Sequence, residues 1–326
     1  MKEISIHGVK VKAGEKADIK IPIAKLPTHT VIDLPIFIRS SPIEGPVVLI
    51  SGGVHGDEIN GIATAKKLLE AFDRELELIR GAVIVIPLVN IYGFLSNSRT
   101  FPDGRDLNRS FPGSKKGSLA SRIAHILSEE ILPWIDFGID FHTGGRMISN
   151  HPQIRVDFKD KVGVELAKSF GTHYVVHSKH IDKSFRKTAY KGKKHLLVYE
   201  GGESMRLDPY AIEEGISGTK RLLHHLEMIH APQVPQTTLI LKDSTWIRAK
   251  ASGIFSCIAQ LGDFVRKGEL LATISDPYGK IEFTVKAPNS GYIINVNDAP
   301  IVYQGDAVFH ISTKLENDEE GIKNQV

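Results

Sequence analysis

The sequence changes from a strand-like run to a helical pattern through the stretch Val48-Leu49-Ile50-Ser51-Gly52-Gly53-Val54-His55-Gly56-Asp57-Glu58. The apolar run predicts a buried β-strand, and the apolar spacing over 58–72, close to 3.6 residues, predicts a helix. Residues three apart lie on one face of a helical turn, so His55 and Glu58 can converge. Both side chains are good zinc ligands. By itself, His-x-x-Glu is as consistent with a solvated helix start as with a metal site.

Two later segments also consist of an apolar run that ends at a histidine or a glutamate. Residues 135–141 are mostly apolar and end at His142, and residues 195–199 end at Glu200, with glycines following closely in both cases. In open α/β sheets, ligands bind beyond the carboxyl ends of the strands. We therefore expect these two residues to meet the His-x-x-Glu pair there. The pattern favours a functional metal site over a packing feature.

The order of predicted elements indicates the fold class and the domains. Strands and helices alternate from about 46 to 230, which predicts an α/β fold with a mixed sheet flanked by helices. A proline-bearing segment at 231–236 marks a boundary, and short apolar runs with glycine turns follow it. We predict a domain at 1–236 with an N-terminal β extension, a β-sandwich at 237–313 and a disordered acidic tail at 314–326. A chain of 326 residues is long enough for two domains.

The second predicted domain contains a weak repeat. Ala251-Ser252-Gly253-Ile254-Phe255 returns as Asn289-Ser290-Gly291-Tyr292-Ile293. Duplicated β-halves of this kind resemble the hammerhead sandwich of biotinyl and lipoyl carrier domains. Those carriers present a modifiable lysine between two methionines on the hairpin that joins the halves, whereas Lys280 lies in the hairpin here without flanking methionines. We therefore predict an all-β, hammerhead-like domain that is not a carrier.

Composition limits the classes of binding partner and the cellular compartment that we expect. The chain is 41% hydrophobic and 24% charged, with a formal net charge of +3, and basic residues do not form long clusters with interleaved aromatics. Nucleic acid is therefore not an expected partner. The single cysteine, Cys257, excludes an intrachain disulfide and zinc–thiolate sites of the finger type. The start of the chain lacks the apolar core of a signal peptide, and no apolar run approaches membrane-span length. We expect a soluble, cytoplasmic protein without a membrane partner.

A long polar loop, 90–118, adds further candidates. It contains Arg99, Arg105 and the run Asp106-Leu107-Asn108-Arg109. Loops of this length are often functional. An Asn–Arg pair offers planar donors to a substrate carboxylate, and a separate arginine can stabilise an oxyanion beside a metal. Arginines in a surface loop are, however, more often simply solvated.

Taken together, four motifs resemble the succinylglutamate desuccinylase/aspartoacylase family of zinc carboxypeptidase-like enzymes. In order, they are His55-Gly56-Asp57-Glu58, Asp106-Leu107-Asn108-Arg109, Asp140-Phe141-His142 and Glu200-Gly201-Gly202. The resemblance covers roughly 45–230, and it implies a zinc carboxypeptidase-like sheet in a zinc-dependent catalytic domain at 1–236. The segment at 237–313 is similar to the β-domain of longer members.

The resemblance also implies the metal ligands and the acid–base group. One Zn²⁺ per chain would be bound by His55, Glu58 and His142. Glu200 would act as general base and then general acid, with Glu203 as a rival three residues beyond the strand end. Zinc would lower the pKa of its bound water toward about 7.

Further roles implied by the resemblance concern the substrate. Asn108 and Arg109 would hold its carboxylate. Arg99 would polarise the scissile carbonyl, and Arg105 is its rival because the loop varies in length.

The implied activity is a zinc-dependent amidohydrolase that removes a small acyl group from an N-acyl amino acid by attack of zinc-bound water. A metallocarboxypeptidase acting on a peptide C-terminus would use the same residues. A non-catalytic binding module is an alternative of another class, which the intact set of His, Glu and Arg side chains disfavours. Succinyl, acetyl and other small acyl groups fit equally, and the sequence is compatible with a homo-oligomer.

Overall fold

The computed structural model of the protein describes residues 3–230 and 236–315. Most of the predicted boundary at 231–236, and the predicted acidic tail from residue 316 onward, lie outside the described residues. Among the described residues, no helix is long and apolar enough to cross a membrane.

The described strands number eighteen, and six helices accompany them. The strands are β1 (Ile4–Ile6), β2 (Val9–Val11), β3 (Lys16–Lys25), β4 (Val31–Ser40), β5 (Val47–Gly52), β6 (Ala82–Ile86), β7 (Phe137–Gly144), β8 (Ile148–Val156), β9 (Tyr174–His177), β10 (His195–Glu203), β11 (Leu239–Arg248), β12 (Gly253–Cys257), β13 (Phe264–Val265), β14 (Leu270–Ser275), β15 (Glu282–Lys286), β16 (Gly291–Asn297), β17 (Ile301–Val302) and β18 (Ala307–Leu315). The helices are α1 (Ile59–Arg74), α2 (Ile91–Leu95), α3 (Leu119–Ile126), α4 (Lys161–Phe170), α5 (Phe185–Lys191) and α6 (Pro209–His225), with a 3-10 turn at Leu107–Arg109 and a π-helical turn at Leu127–Ile131.

A mixed sheet of twelve strands forms the centre of the molecule, in the order β13-β16-β18-β11-β9-β8-β10-β7-β5-β6-β4-β3. Strands β6, β5, β7 and β10 run parallel to one another. Every residue of β5 is buried, because helices cover both faces of the parallel part. The apolar cluster on one face includes residues of α1, α4 and α6, and the cluster on the other face includes residues of α3 and α5. The predicted α/β architecture, a mixed sheet flanked by helices, is confirmed.

The described chain after 236 contains strands and no helix, yet its strands do not form a separate body. β11 pairs in parallel with β9, and β16 pairs antiparallel with β8. The strands β8, β9, β11, β18 and β16 therefore close into a ring. Tyr174, Val176, Leu241 and Ile294, which come from strands of this ring, form one apolar cluster. A second, four-stranded sheet has the order β15-β14-β12-β17. The domain boundary and the hammerhead arrangement stay predictions, since one sheet crosses the boundary.

Two elements differ from the expectation. The alternation read from the sequence omits β8, whose residues Asn150 and Gln153 are polar but buried. The basic stretch 183–194 has no apolar period that predicts a helix, yet its central part forms α5. Ser184 caps that helix by accepting from the Lys187 N–H, and Arg186 is buried.

Candidate active site

Three adjacent strands bring the predicted residues to one edge of the sheet. The chain leaves β5 and turns through His55 to Glu58, the residue before the first turn of α1. His142 in β7 lies directly opposite Glu200 in β10, and cross-strand partners share a face of the sheet. Gly56 is required in the turn, because a Cβ atom there would lie 2.0 Å from the Gly93 carbonyl carbon.

His55, Glu58 and His142 form a tight triangle of potential ligand atoms. The Nδ1 atoms of His55 and His142 lie 2.8 Å from the two oxygens of Glu58 and 3.2 Å from each other. All three side chains are buried. Two nitrogen ligands on a tetrahedral zinc stand about 3.3 Å apart when each bond is 2.0–2.1 Å. The spacing and the donor types therefore fit one zinc ion.

Carboxylates on the far side of each imidazole fix its orientation. His142 Nε2 lies 2.8 Å from Asp140 Oδ2, and the other Asp140 oxygen accepts from Ser51 Oγ at 2.8 Å. His55 Nε2 lies 3.2 Å from Asp106 Oδ1. Metal-binding histidines usually have such a partner, which leaves the opposite nitrogen facing the metal. Here that nitrogen is Nδ1 in both rings.

Electrostatically, the triangle favours positive charge. Burial would raise the pKa of Glu58, but the charges of His55 and His142 lower it far below its usual range. Burial would lower the pKa of His142, but Asp140 and Glu58 raise it well above its usual value. Asp106 also has a lowered pKa, because His55 and Arg99 outweigh the effect of burial. Positive charge is therefore stabilised here, either as protons on the imidazoles or as a metal cation that displaces them.

Arg99 reaches this triangle and Arg105 does not. Arg99 donates from NH1 to Glu58 Oε1 at 3.2 Å, and from Nε and NH2 to Asp106 Oδ2 at 3.2 and 3.0 Å. The Arg105 side chain is 65% exposed and pairs with Asp103 at 3.4 Å. The geometry therefore places Arg99, and not Arg105, beside the candidate ligands.

Asn108 and Arg109 lie in the 3-10 turn and line the same cavity. The Asp106 carboxylate caps this turn by accepting from the Asn108 N–H at 2.7 Å. Asn108 Oδ1 accepts from the Phe185 N–H at 2.9 Å, which ties the turn to α5. Arg109 donates from NH1 to its neighbour's carbonyl oxygen at 2.7 Å. These bonds use Asn108 Oδ1 and Arg109 NH1, so Asn108 Nδ2 and the other guanidinium nitrogens can donate to a ligand in the cavity.

Of the two candidate acid–base residues, only Glu200 lines the cavity. Its Oε2 accepts from Asn150 Nδ2 at 2.7 Å, and its Oε1 lies 3.4 Å from Arg155 NH1. Glu203 instead pairs with Arg206 at 3.1 Å. Glu203 lies beyond a register shift in β10 and does not line the cavity.

The cavity has a volume of about 260 Å³, and residues from before and after the predicted boundary at 231–236 line it. Its lining includes five residues that belong to none of the sequence motifs: Asn150, Arg155, Arg186, Trp246 and Asn295. Burial, and secondarily the Arg155 charge, lower the pKa of Arg186 to about 10. Arg186 donates to the carbonyl oxygens of Arg155, Ser178 and Lys179 at 2.7–3.0 Å, so it holds the wall in place.

Comparisons with known proteins find relatives of this chain. A family model described as the succinylglutamate desuccinylase/aspartoacylase catalytic domain matches residues 44–226. The N-alpha-acetyl-L-2,4-diaminobutyric acid deacetylase of Halomonas elongata is 29% identical over 291 residues, which cover 84% of this chain and 84% of that protein.

Solved structures share the fold over nearly the whole chain. The product-bound ectoine utilization protein EutE (DoeB) from Ruegeria pomeroyi superposes with a TM-score of 0.83 at 22% identity, covering 96% of this chain and 100% of that chain. A succinylglutamate desuccinylase/aspartoacylase from Rhodobacter sphaeroides has a TM-score of 0.81 at 24% identity, covering 93% of this chain and 96% of that chain. At these coverages, both similarities extend into the chain after residue 236.

Proposed function

The chain belongs to the succinylglutamate desuccinylase/aspartoacylase family, and on that premise we propose that it is a zinc-dependent hydrolase that removes a small acyl group from an N-acyl amino acid. The observation that carries the proposal is the buried triangle of His55, Glu58 and His142, which lines one cavity with Glu200. The relative named for deacetylating N-acetylated diaminobutyric acid supports a small, N-acylated substrate.

Zinc bound by His55, Glu58 and His142 would supply Lewis acidity to a water and to the scissile carbonyl. Glu200 accepts the proton of the attacking water, whose oxygen forms the new bond to the carbonyl carbon. Glu200 then returns that proton to the amide nitrogen as the C–N bond breaks, because an amide anion is a very poor leaving group. The products are the free carboxylic acid and the free amine.

Arg99 stabilises the oxyanion formed from the carbonyl oxygen, because its guanidinium lies at the edge of the ligand triangle. Asp106 holds that guanidinium through two of its nitrogens, so little reorganisation is needed. Asn108 and Arg109, which line the same cavity, bind the carboxylate of the amino acid.

Cavity size supports a small substrate over a peptide. A volume of about 260 Å³ lies just below the usual range for drug-sized ligands. Trp246 and Asn295, from strands after the predicted boundary, form part of its wall. A metallocarboxypeptidase would need a cleft that extends beyond this wall.

Two measurements test the proposal together. Metal analysis of the protein should give one zinc per chain, and His55→Ala and His142→Ala should lose nearly all of it, whereas the exposed His224→Ala should keep it. Full retention of zinc in either site variant would contradict the metal assignment.

The second measurement is release of free amine from acetyl and succinyl derivatives of aspartate, glutamate and 2,4-diaminobutyrate, with C-terminal peptides alongside. We expect turnover of at least one N-acyl amino acid and none of the peptides. Turnover of peptides alone would replace this proposal by the carboxypeptidase.

A further inference from the structure

A row of hydrogen bonds leads from Glu200 into the strands that follow residue 236. Asn150 Nδ2 donates to Glu200 Oε2 at 2.7 Å, and Asn295 Nδ2 donates to Asn150 Oδ1. His310 Nδ1 lies 2.8 Å from Asn295 Oδ1, and His310 Nε2 lies 2.8 Å from Ser244 Oγ. The row thus ends in strand β11, far from Glu200 in the sequence.

Backbone pairing places these residues side by side, independently of their side-chain conformations. Asn295 of β16 lies opposite Asn150 of β8. Asn295 is also paired with His310 of β18, and His310 with Trp246 of β11. The row therefore follows the closed ring of strands across β8, β16, β18 and β11.

The carboxylate of Glu200 determines which group donates and which accepts in each hydrogen bond of the row. An ionised carboxylate only accepts hydrogen bonds, so Asn150 must present its NH₂ group to Glu200 and its oxygen to Asn295. Asn295 must then donate to Asn150 and accept from His310 Nδ1–H. His310 Nε2 is left to accept from the hydroxyl of Ser244.

Burial makes this order difficult to change. Asn150, Asn295 and His310 are 2%, 1% and 9% exposed, and buried polar groups lose free energy when they lack a partner. Burial, and secondarily the Arg155 charge, lower the pKa of His310 to about 3. The His310 imidazole is therefore neutral near neutral pH. It then has one donor and one acceptor nitrogen, as the row of hydrogen bonds requires.

We propose that Asn150, Asn295 and His310 are positioning residues that fix the carboxylate of Glu200 for proton transfer, so that the C-terminal strands take part in catalysis. This rests on the proposed function, in which Glu200 is the acid–base group. With Oε2 held by Asn150 and Oε1 3.4 Å from Arg155 NH1, the carboxylate cannot rotate freely. Acid–base catalysis depends on such alignment.

A pair of substitutions at 310 separates positioning from packing. The amide nitrogen of asparagine can replace His310 Nδ1, whereas that of glutamine reaches toward the place of Nε2. Both changes remove the ring that stacks on Trp246 at 4.2 Å. We expect His310→Asn to keep kcat within about threefold, and His310→Gln to lower it roughly tenfold, the scale of one lost hydrogen bond. KM and zinc content should be unchanged in both.

Asn150→Ala provides the second variant, because it removes the direct bond to Glu200. It should lower kcat by at least roughly tenfold with zinc retained. Ser149→Ala is the matched control. Ser149 lies next to Asn150 in β8, but it bonds to Asp298 and does not line the cavity. The Ser149→Ala protein should keep wild-type turnover.

The outcomes distinguish the two proposals. Equal kcat in the two His310 variants, or a change confined to KM, would overturn the positioning role while leaving the proposed function intact. A wild-type protein that hydrolyses no N-acyl amino acid would overturn the proposed function and this inference with it. Loss of turnover in Glu200→Gln, measured in the same assay, establishes that the row ends on the acid–base group.

Discussion

At the scale of single residues, Glu200 and Glu203 provide a direct comparison within one strand. Glu200→Gln keeps the shape of the side chain but cannot take a proton, so we expect kcat to fall by about 10²–10⁴-fold with zinc retained. Glu203→Gln disturbs only an ion pair with Arg206 and should stay near wild type. Steady-state kinetics and metal analysis of both proteins make the test. If Glu203→Gln were the inactive variant with zinc in place, the assignment of Glu200 would be wrong.

Arg99 and Arg105 form a second pair of this kind. Arg99→Met should lower kcat by about 10²–10³-fold, the usual effect of losing one oxyanion donor. Kinetics should be measured at saturating zinc, because Arg99 also contacts Glu58 and Asp106. Arg105→Met is the control, since its side chain is exposed and paired with Asp103. A larger loss in Arg105→Met would reverse the two roles.

The candidate site could largely be predicted at this scale. All seven proposed metal, catalytic and substrate residues line one cavity: His55, Glu58, Arg99, Asn108, Arg109, His142 and Glu200. Their roles stay predictions. Asn150 and Asn295 could not be found, because a polar residue that contacts another side chain leaves no pattern in the sequence. Only the pairing of distant strands brings these two together.

At the scale of elements, predictability followed the apolar pattern. Strand β5 is an apolar run, β7 is mostly apolar, and α1 has a clear 3.6-residue period, so the sequence predicts all three within a few residues. β8 is different, since its buried positions include Asn150 and Gln153, which bond to the ring of strands instead of packing in an apolar core. A strand of this composition has no alternation to recognise.

His310 in β18 gives these strands a testable dependence on pH. Burial and the Arg155 charge lower its pKa to about 3, whereas an unfolded histidine titrates near about 6.5. The unfolded chain therefore binds the proton first. The free energy of unfolding is unaffected by this group above pH 6.5 and decreases as the pH falls from there toward 3.

Thermal unfolding of wild type and His310→Asn should accordingly be compared at about pH 7.5 and about pH 4.5. The fall in Tm on acidification should be smaller in the variant, because asparagine does not titrate. Other histidines with lowered pKa values, such as His151 and His173, are the same in both proteins and cancel. An equal fall in Tm would contradict the neutral state of His310.

At the scale of the whole molecule, the sequence predicted an all-β segment but not its attachment. Local patterns identify strands after 236, whereas the paired residues of β8 and β9 lie 65–149 residues earlier in the chain. The pairing of strands so far apart is decided by the complete fold, and short sequence windows carry little information about it. The closed ring is the result, and it explains how Trp246 and Asn295 reach the cavity.

A truncated chain ending near residue 234 tests this arrangement. Removing β11 and β16 would leave the backbone of β9 and β8 unpaired along one edge, and would expose Tyr174 and Val176, which pack against Leu241 and Ile294. Exposed edges and apolar patches promote aggregation. We therefore expect the truncated protein to be insoluble, whereas a chain ending at Leu315, which keeps every strand of the ring, should be soluble and active.

Size-exclusion chromatography and the N-acyl amino acid assay would measure both. If the shorter protein were soluble with open access to the cavity, it should gain activity on longer peptides, and an unchanged substrate profile in such a protein would show that the C-terminal strands neither stabilise the sheet nor limit access.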